Sequence, residues 1–240
     1  MAGHSKWANI KHRKGRQDAK RGKVFTKLIR ELTVAAKQGA SPSDNPRLRL
    51  AVDKALTANM TRDTIDRAIA RGAGLNESDN MLELVYEGYG TDGVAIIVET
   101  MTDNKNRTAA EIRHTFSKFG GNLGTDGSVS FLFERKGLIK IILNGDGDEE
   151  QLIDDALDAG ADDVINNQGK SFDVLTGFSS FLVVKSKLEE KGYDCSDFIV
   201  GMIPNDVLDL NEDVLEKAFK LIDALEDLDD VQNVYSNVNY

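Results

Sequence analysis

Cysteine and histidine, the side chains that most often bind transition metals or supply nucleophiles, are almost absent from this chain of 240 residues. Cys195 is the single cysteine, and the three histidines stand at positions 4, 12 and 114. One thiol cannot form an intramolecular disulfide or a multi-thiolate metal site, so we expect a reducing compartment. The histidine positions give no His-x-x-x-His pair and no His/Cys zinc spacing. The sequence therefore predicts no metal site and no cofactor.

Long apolar runs are also missing. Runs such as Val94 to Val98 have the length of a strand, whereas a helix that spans a bilayer needs about 20 apolar residues. The first residues become basic without the apolar segment that a secretory signal requires. We therefore expect a cytoplasmic protein that makes no membrane contact.

Motifs of the common enzyme classes are also absent from the sequence. Gly22-Lys23 is followed by Val24 and lacks the upstream glycine of a phosphate-binding P-loop. The chain has no G-x-S-x-G elbow, and Cys195 has no histidine near it in sequence. These absences predict a protein without enzymatic activity.

Acidic side chains are scarce in the first 75 residues, and basic side chains are scarce in the rest of the chain. The whole sequence has 30 basic and 40 acidic side chains, a net charge of −10. Residues 1 to 75 hold 17 basic and 6 acidic side chains, net +11, and the remaining residues hold 13 and 34, net −21. Many cations in one segment match what binding to a phosphate backbone requires, so we expect a nucleic-acid ligand. A solvated basic tail is the alternative, while a membrane contact lacks the apolar face it needs.

The candidate nucleic-acid contacts in this basic region are cations, one histidine and the only tryptophan. Trp7 either stacks on a base or packs against the helix that carries Phe25. The full set is Lys6, Trp7, Lys11, His12, Arg13, Lys14, Arg16, Lys20, Arg21, Lys23, Lys27 and Arg30. We also expect the acidic part of the free protein to attract and mask this region.

A second candidate phosphate site lies in the polar segment 102–108. It contains Lys105 and Arg107, and Thr108 with Glu111 has the spacing of a capping box that starts a helix. Free amides and the helix dipole at such a start attract a phosphate. A capped helix start with exposed charges is the alternative.

Apolar periodicity predicts the secondary structure. Three helices are expected between residues 23 and 72, with Asn45 and Thr61 as N-caps and Gly72 as a stop. Strands are expected at 82–86, 93–98, 128–134, 137–143, 163–167, 170–175, 198–203, 207–210 and 231–237, and further helices at 108–120, 149–159, 177–192 and 212–225. The run 179–184 is equally compatible with a strand.

These elements predict a multidomain α+β protein, with an N-terminal helical bundle followed by two mixed α/β domains. The last strand–helix–strand segment is too short to bury a core, so we expect it to complete the unit that begins at Leu82. The predicted domains are 1–78, a discontinuous middle domain of 79–127 plus 205–240, and an inserted domain of 128–204.

Several segments resemble one known family. They are MAGHSKWANIKHRK at residues 1–14, FTKLIRE at 25–31, YEGYG at 86–90, TDNKNRT at 102–108, GGNLG at 120–124 and LEDLDDVQNVY at 225–235. Over essentially its whole length the chain resembles the YebC/PmpR family of bacterial regulatory proteins and their mitochondrial translational-activator relatives. Thr91-Asp92 departs from the Pro-Gly usual after the Gly-Tyr-Gly turn.

The resemblance implies a helical N-terminal domain, two α+β domains and no catalysis. Family members are mostly described as DNA-binding transcriptional regulators, which makes this the first hypothesis. The mitochondrial relatives and some bacterial ones are linked to translation on the ribosome, so a factor that binds ribosomal or messenger RNA is the alternative. In either case the acidic domains are expected to meet a protein partner such as RNA polymerase or a ribosomal protein.

Overall fold

The computed structural model of the protein describes residues 21–74, 81–143, 148–169 and 171–239, without the side chains of residues 21 and 22. This part of the chain contains seven α-helices and two four-stranded sheets, which confirms the α+β class. In chain order the elements are α1 (Arg21–Ala36), α2 (Pro46–Thr57), α3 (Arg62–Ala73), β1 (Leu82–Tyr89), β2 (Ala95–Thr102), α4 (Lys105–Lys118), β3 (Asn122–Leu123), β4 (Phe133–Ile141), α5 (Glu149–Ala159), β5 (Asp163–Asn166), β6 (Phe172–Gly177), α6 (Phe181–Glu190), β7 (Phe198–Pro204), α7 (Glu212–Glu226) and β8 (Val231–Ser236).

The first three helices pack as a small bundle. Each presents one apolar stripe, because apolar residues recur at three- and four-residue spacing. The buried side chains come from all three helices and from the connection between α2 and α3, which supplies Met60. They are Leu32, Ala35, Ala36, Leu48, Ala51, Ala55, Met60, Ile65 and Ala68. Phe25, Leu28 and Ile29 pack against this cluster while half-buried. The three expected helices are therefore present.

Asn45 joins the end of α1 to the start of α2. Its side-chain oxygen accepts a hydrogen bond from the Leu48 amide at 3.0 Å, as an N-cap does. Its side-chain amide donates to the carbonyl oxygens of Ala35 and Gly39 at 2.8 and 2.9 Å. Asn45 is buried, so one buried side chain satisfies three backbone groups, among them the buried Leu48 amide and Ala35 carbonyl.

Gly72 is a contact point rather than the helix stop that the sequence predicts. The helix α3 continues through this position to Ala73. A Cβ atom on Gly72 would lie 2.1 Å from the carbonyl oxygen of Thr33 on α1. Only glycine lets α1 and α3 approach this closely.

The first sheet has the strand order β3-β1-β2-β8 and is antiparallel throughout. The expected hairpin of β1 and β2 forms its centre, and the C-terminal strand β8 returns to pair with β2, as the sequence analysis expects. The expected strand at 207–210 is wrong, because the segment makes only an isolated bridge between Leu208 and Val238. Asn211 already caps α7, which leaves too few residues for a ladder.

The second sheet has the order β5-β6-β4-β7, also antiparallel. The expected strands 128–134 and 137–143 are wrong as separate elements, since a 3-10 turn at Ser130–Leu132 precedes one continuous strand, β4. The backbone amides of Gly127, Val129 and Ser130 donate to the buried Glu87 carboxylate at 2.9, 2.7 and 2.8 Å. Because these amides donate to the Glu87 carboxylate, they cannot donate to a neighbouring strand.

The ambiguous run 179–184 begins the helix α6. Phe181, Val184 and Leu188 are its buried side chains. Their spacing of three, four and seven residues matches one face of a helix and not the alternation of a strand.

By packing, the described chain divides into two compact units. Phe133–Asn205 forms one, and the other combines the residues up to Leu132 with Asp206–Val238. The helical bundle and the first sheet therefore belong to the same unit. The division into the domains 1–78, 79–127 plus 205–240, and 128–204 stays a prediction.

We expect Asn45→Ala to lower the free energy of unfolding of this unit by about 2–3 kcal/mol, because a cap and two further hydrogen bonds of a buried side chain are lost. Urea unfolding followed by circular dichroism measures the change. Asn211→Ala is the matched control: Asn211 caps α7 in the same unit but is exposed and bonds only the Val214 amide, so about 1 kcal/mol is expected. Equal losses would contradict the role given to the two extra bonds.

Candidate nucleic-acid interface

The candidate contacts Lys6, Trp7, Lys11, His12, Arg13, Lys14, Arg16 and Lys20 lie outside the described residues, as does the side chain of Arg21. Lys23, Lys27, Arg30, Lys105 and Arg107 are described. All of them lie in the unit that holds the bundle and the first sheet.

Lys23, Lys27 and Arg30 form one stripe along α1, which we call the cation stripe. Their spacing of four and three residues places them on one helical face. Lys23 Nζ donates to the carbonyl oxygen of Asp227 at 2.9 Å and lies 3.4 Å from its carboxylate. Lys27 Nζ donates to the carbonyl oxygen of Glu226 at 3.1 Å.

Arg30 completes the contact at the inner end of the stripe. Its Nη1 donates to the carbonyl oxygen of Asp229 at 2.8 Å and to that of Met101, on β2, at 3.1 Å. The same atom lies 3.8 Å from a carboxylate oxygen of Asp230. The cation stripe therefore joins the bundle to the segment Glu226–Asp230, which we call the acidic turn.

The acidic turn attracts cations for two reasons. It carries four carboxylates, on Glu226, Asp227, Asp229 and Asp230. It also follows the C-terminus of α7, where unpaired carbonyl groups carry the negative end of the helix dipole. The last turn of α7 has no basic residue, so α1 supplies the compensating charge.

Asp230 is the anchor of the acidic turn. Its side chain is 9% exposed, and one oxygen accepts hydrogen bonds from the hydroxyls of Thr102 and Thr108 at 3.0 and 2.7 Å and from Arg107 Nη2 at 2.8 Å. Burial by itself would raise the pKa of this carboxyl, but the bonds from Arg107, Thr108 and Thr102 outweigh it and the pKa lies below its ordinary value.

Arg107 is shared between two carboxylates. Its Nη2 lies 2.8 Å from an oxygen of Asp230 and 2.8 Å from one of Asp103. The hydrogen bonds to Asp230 and Asp103 raise the pKa of the guanidinium. Arg107 thus serves an ion-pair network in the protein itself, and its contact with a phosphate stays a prediction.

The capping box expected at Thr108 and Glu111 is wrong. The helix α4 begins at Lys105, and its N-cap is Asn104, whose side chain accepts from the Arg107 amide at 3.1 Å. Thr108 lies inside the first turn, where its hydroxyl turns to Asp230. Lys105 is exposed in the same turn.

A cavity of about 530 Å³ opens beside this network. Arg30 and Arg107 line it together with the acidic side chains of Asp103, Glu111 and Asp227. Its walls therefore carry both signs of charge.

Sequence reasoning missed the acidic turn, although its residues lie in the segment that resembles the family. One signal was available: acidic residues at a helix C-terminus oppose the dipole, which implies a cation from elsewhere in the chain. Two further cations of the bundle, Arg62 and Arg71 of α3, are exposed and form no ion pair among the described residues.

The comparisons with known families cover the two parts of the chain separately. The TACO1/YebC protein N-terminal domain matches residues 5–75, and the TACO1/YebC second and third domain matches residues 81–238. The chain belongs to the TACO1/YebC family. The resemblance to the YebC/PmpR proteins is thereby confirmed.

Curated relatives within the TACO1/YebC family are similar over the full chain. A probable transcriptional regulatory protein of Pseudomonas paraeruginosa is 67% identical over 240 residues, which are all of this chain and 96% of that protein. The transcriptional regulatory protein PmpR of Pseudomonas aeruginosa has the same identity and coverage.

A solved structure shares the fold. The crystal structure of Aq1575, a conserved hypothetical protein from Aquifex aeolicus, superimposes with a TM-score of 0.82 at 44% sequence identity. The match covers 98% of this chain and 97% of the Aquifex chain.

Neither a membrane-spanning helix nor a metal-binding cluster of side chains occurs among the described residues. In the described parts of the chain, no helix is long and apolar enough to cross a bilayer. Among the same residues, no group of three or more histidine, cysteine, aspartate or glutamate side chains is arranged to hold a metal ion.

We expect Asp230→Asn to destabilise the unit by about 2–3 kcal/mol at neutral pH, because charged hydrogen bonds to two hydroxyls and a guanidinium are weakened. A lowered folded-state pKa gives stability that is complete above the unfolded pKa of about 4 and is lost as the pH falls through the folded value. The difference between the variant and the parent should therefore shrink below about pH 4. Urea midpoints measured from pH 7 to pH 2.5 test this.

Asp103→Asn is the matched control for this prediction. Asp103 contacts the same Arg107 atom at the same distance, but its side chain is 73% exposed. Exposed ion pairs contribute little, so the midpoint should hardly move at any pH. A loss as large as that of Asp230→Asn would refute the assignment of Asp230 as the anchor.

Proposed function

We propose that this TACO1/YebC family protein is a non-enzymatic regulator of transcription that binds DNA through the phosphate backbone. The observation that carries the proposal is the separation of charge along the chain: net +11 in residues 1 to 75 against net −21 in the rest. Phosphate binding needs clustered cations. The protein has a net charge of −10, yet it concentrates cations in one segment, where they repel one another. A nucleic-acid ligand explains this clustering, because its phosphates neutralise the cations.

The names of the relatives favour transcription over translation. Both Pseudomonas proteins at 67% identity are called transcriptional regulatory proteins. Identity at this level over the whole chain supports a shared role. We place this role in the cytoplasm, in line with the expectation from composition.

The proposed contacts come from two parts of the N-terminal region. The first is the basic segment from Lys6 to Arg21, together with Trp7 and His12. The second comprises exposed arginines of the bundle such as Arg62 and Arg71. Contacts to phosphate fix the position of the protein on the duplex but carry no sequence information. The acidic part is proposed to meet a protein partner such as RNA polymerase.

Salt dependence tests the phosphate contacts. If about six to eight phosphates are contacted, the logarithm of the association constant should fall against the logarithm of salt concentration with a slope of about −5 to −7 on duplex DNA. Fluorescence anisotropy of a labelled duplex between 50 and 200 mM salt, about the range over which such losses are large, measures the slope. A flat response would contradict backbone binding.

A variant with four neutralised cations sharpens this test. Replacing Lys6, Lys11, Arg13 and Lys14 by glutamine should make the slope shallower by about 3–4. The matched control replaces four exposed cations of α4 and α7 by glutamine, namely Arg113, Lys118, Lys217 and Lys220. This control should leave the slope unchanged, and an equal effect of both variants would mean that only net charge matters.

Ultraviolet cross-linking in living cells, followed by sequencing of the attached nucleic acid, identifies the target. We expect discrete promoter DNA. Reads concentrated on ribosomal or messenger RNA would replace the proposed role with that of a translation factor.

A further inference from the structure

We propose that the acidic turn, Glu226–Asp230, is a built-in competitor for nucleic acid that occupies the cation stripe of α1 in the free protein. This inference rests on the proposed function and adds a regulation to it. Lys23, Lys27 and Arg30 then bind phosphate only when the acidic turn has moved away.

The hydrogen-bond geometry carries the proposal. All three stripe cations donate to oxygen atoms of the acidic turn, at 2.9 Å for Lys23, 3.1 Å for Lys27 and 2.8 Å for Arg30. A phosphate oxygen needs these same donors. The main-chain carbonyl oxygens of the acidic turn and a phosphate therefore compete for the donors of each cation.

The acidic turn also resembles a nucleic-acid backbone in its density of charge. It places four carboxylates within five residues, and five residues span at most about 17 Å. The mean spacing along the chain is therefore about 4 Å per charge or less, which compares with one phosphate per about 3.4 Å along one DNA strand. The negative end of the α7 dipole adds to this field.

The contact between the cation stripe and the acidic turn is exposed at one end and buried at the other. The exposed end can open, and the buried end stays fixed. At the outer end Lys23 and Asp227 are 48% and 44% exposed, so water and salt screen their attraction and a phosphate can displace it. At the inner end Asp230 is buried beneath the hydroxyls of Thr102 and Thr108. The acidic turn is therefore expected to open from Asp227 while Asp230 keeps its position.

Neutralising the acidic turn in the full-length protein tests the competition. The variant Glu226→Gln/Asp227→Asn/Asp229→Asn keeps the anchor Asp230. We expect it to bind a short labelled DNA duplex about tenfold more tightly than the parent at about 0.1 M salt, where charges are screened over about 10 Å. The milder variant Asp227→Asn should bind two- to threefold more tightly and guards against misfolding, which thermal unfolding by circular dichroism checks.

The matched control removes the same number of charges from the other end of the same helix. Glu212→Gln/Asp213→Asn/Glu216→Gln changes three exposed acidic residues at the start of α7. This end lies about 20 Å from the acidic turn, beyond the screening length. Less than a twofold gain is expected, and a gain equal to that of the acidic-turn variant would overturn the proposal in favour of a general charge effect.

A double-mutant cycle ties the effect to the cation stripe. In a background of Lys23→Gln/Lys27→Gln, neutralising the acidic turn should give a much smaller gain, because the cations that it releases are mostly gone. An undiminished gain would overturn the proposal.

The outcomes separate the two claims. Equal binding by the parent and the acidic-turn variant would overturn the competition but leave the proposed function standing. No binding of the duplex by either protein would overturn the proposed function and the competition with it. Binding by the variant alone supports both and makes the masking complete.

Discussion

The unit that combines the bundle with the first sheet depends on the attraction between the cations of α1 and the negative end of α7. The helix α7 ends in carboxylates and has no basic residue in its own last turn, so its carbonyl groups and acidic side chains need cations from another element. Lys23, Lys27 and Arg30 supply them from one face of α1. Through this contact the bundle is held against the sheet.

Asp230 extends this contact into the sheet and α4. Its carboxylate accepts hydrogen bonds from the hydroxyl of Thr102, at the end of β2, from the hydroxyl of Thr108, in the first turn of α4, and from the guanidinium of Arg107. The segment that reads as a phosphate site in the sequence is thus part of an internal charge network. The cations of α1 therefore serve this network in the free protein, and under the competition proposed above a phosphate reaches them only by exchange.

Local signals were right where the competing interactions are local. Asn45 and Thr61 cap their helices as expected, and the apolar spacing of α1, α2 and α3 matches the buried cluster. Local signals were wrong where a group distant in sequence forms a hydrogen bond with the residues concerned. Asn104 rather than Thr108 caps α4, since Asp230 takes the Thr108 hydroxyl from 122 residues away. The amides of Gly127, Val129 and Ser130 do not join a strand because the Glu87 carboxylate holds them.

The sequence by itself determined the helices of the bundle, the hairpin, the α+β class, the separation of charge and the membership of the TACO1/YebC family. All but the last follow from composition and from patterns within about 20 residues, and the membership follows from the resemblance of whole segments to the family. Only the tertiary structure decided the partners of the charged side chains. Lys23 and Asp227 are 204 residues apart in sequence, and periodicity places each on a face of its helix without saying which faces meet. The sequence therefore predicted these cations as candidate contacts, while their ligand in the free protein was decided by packing.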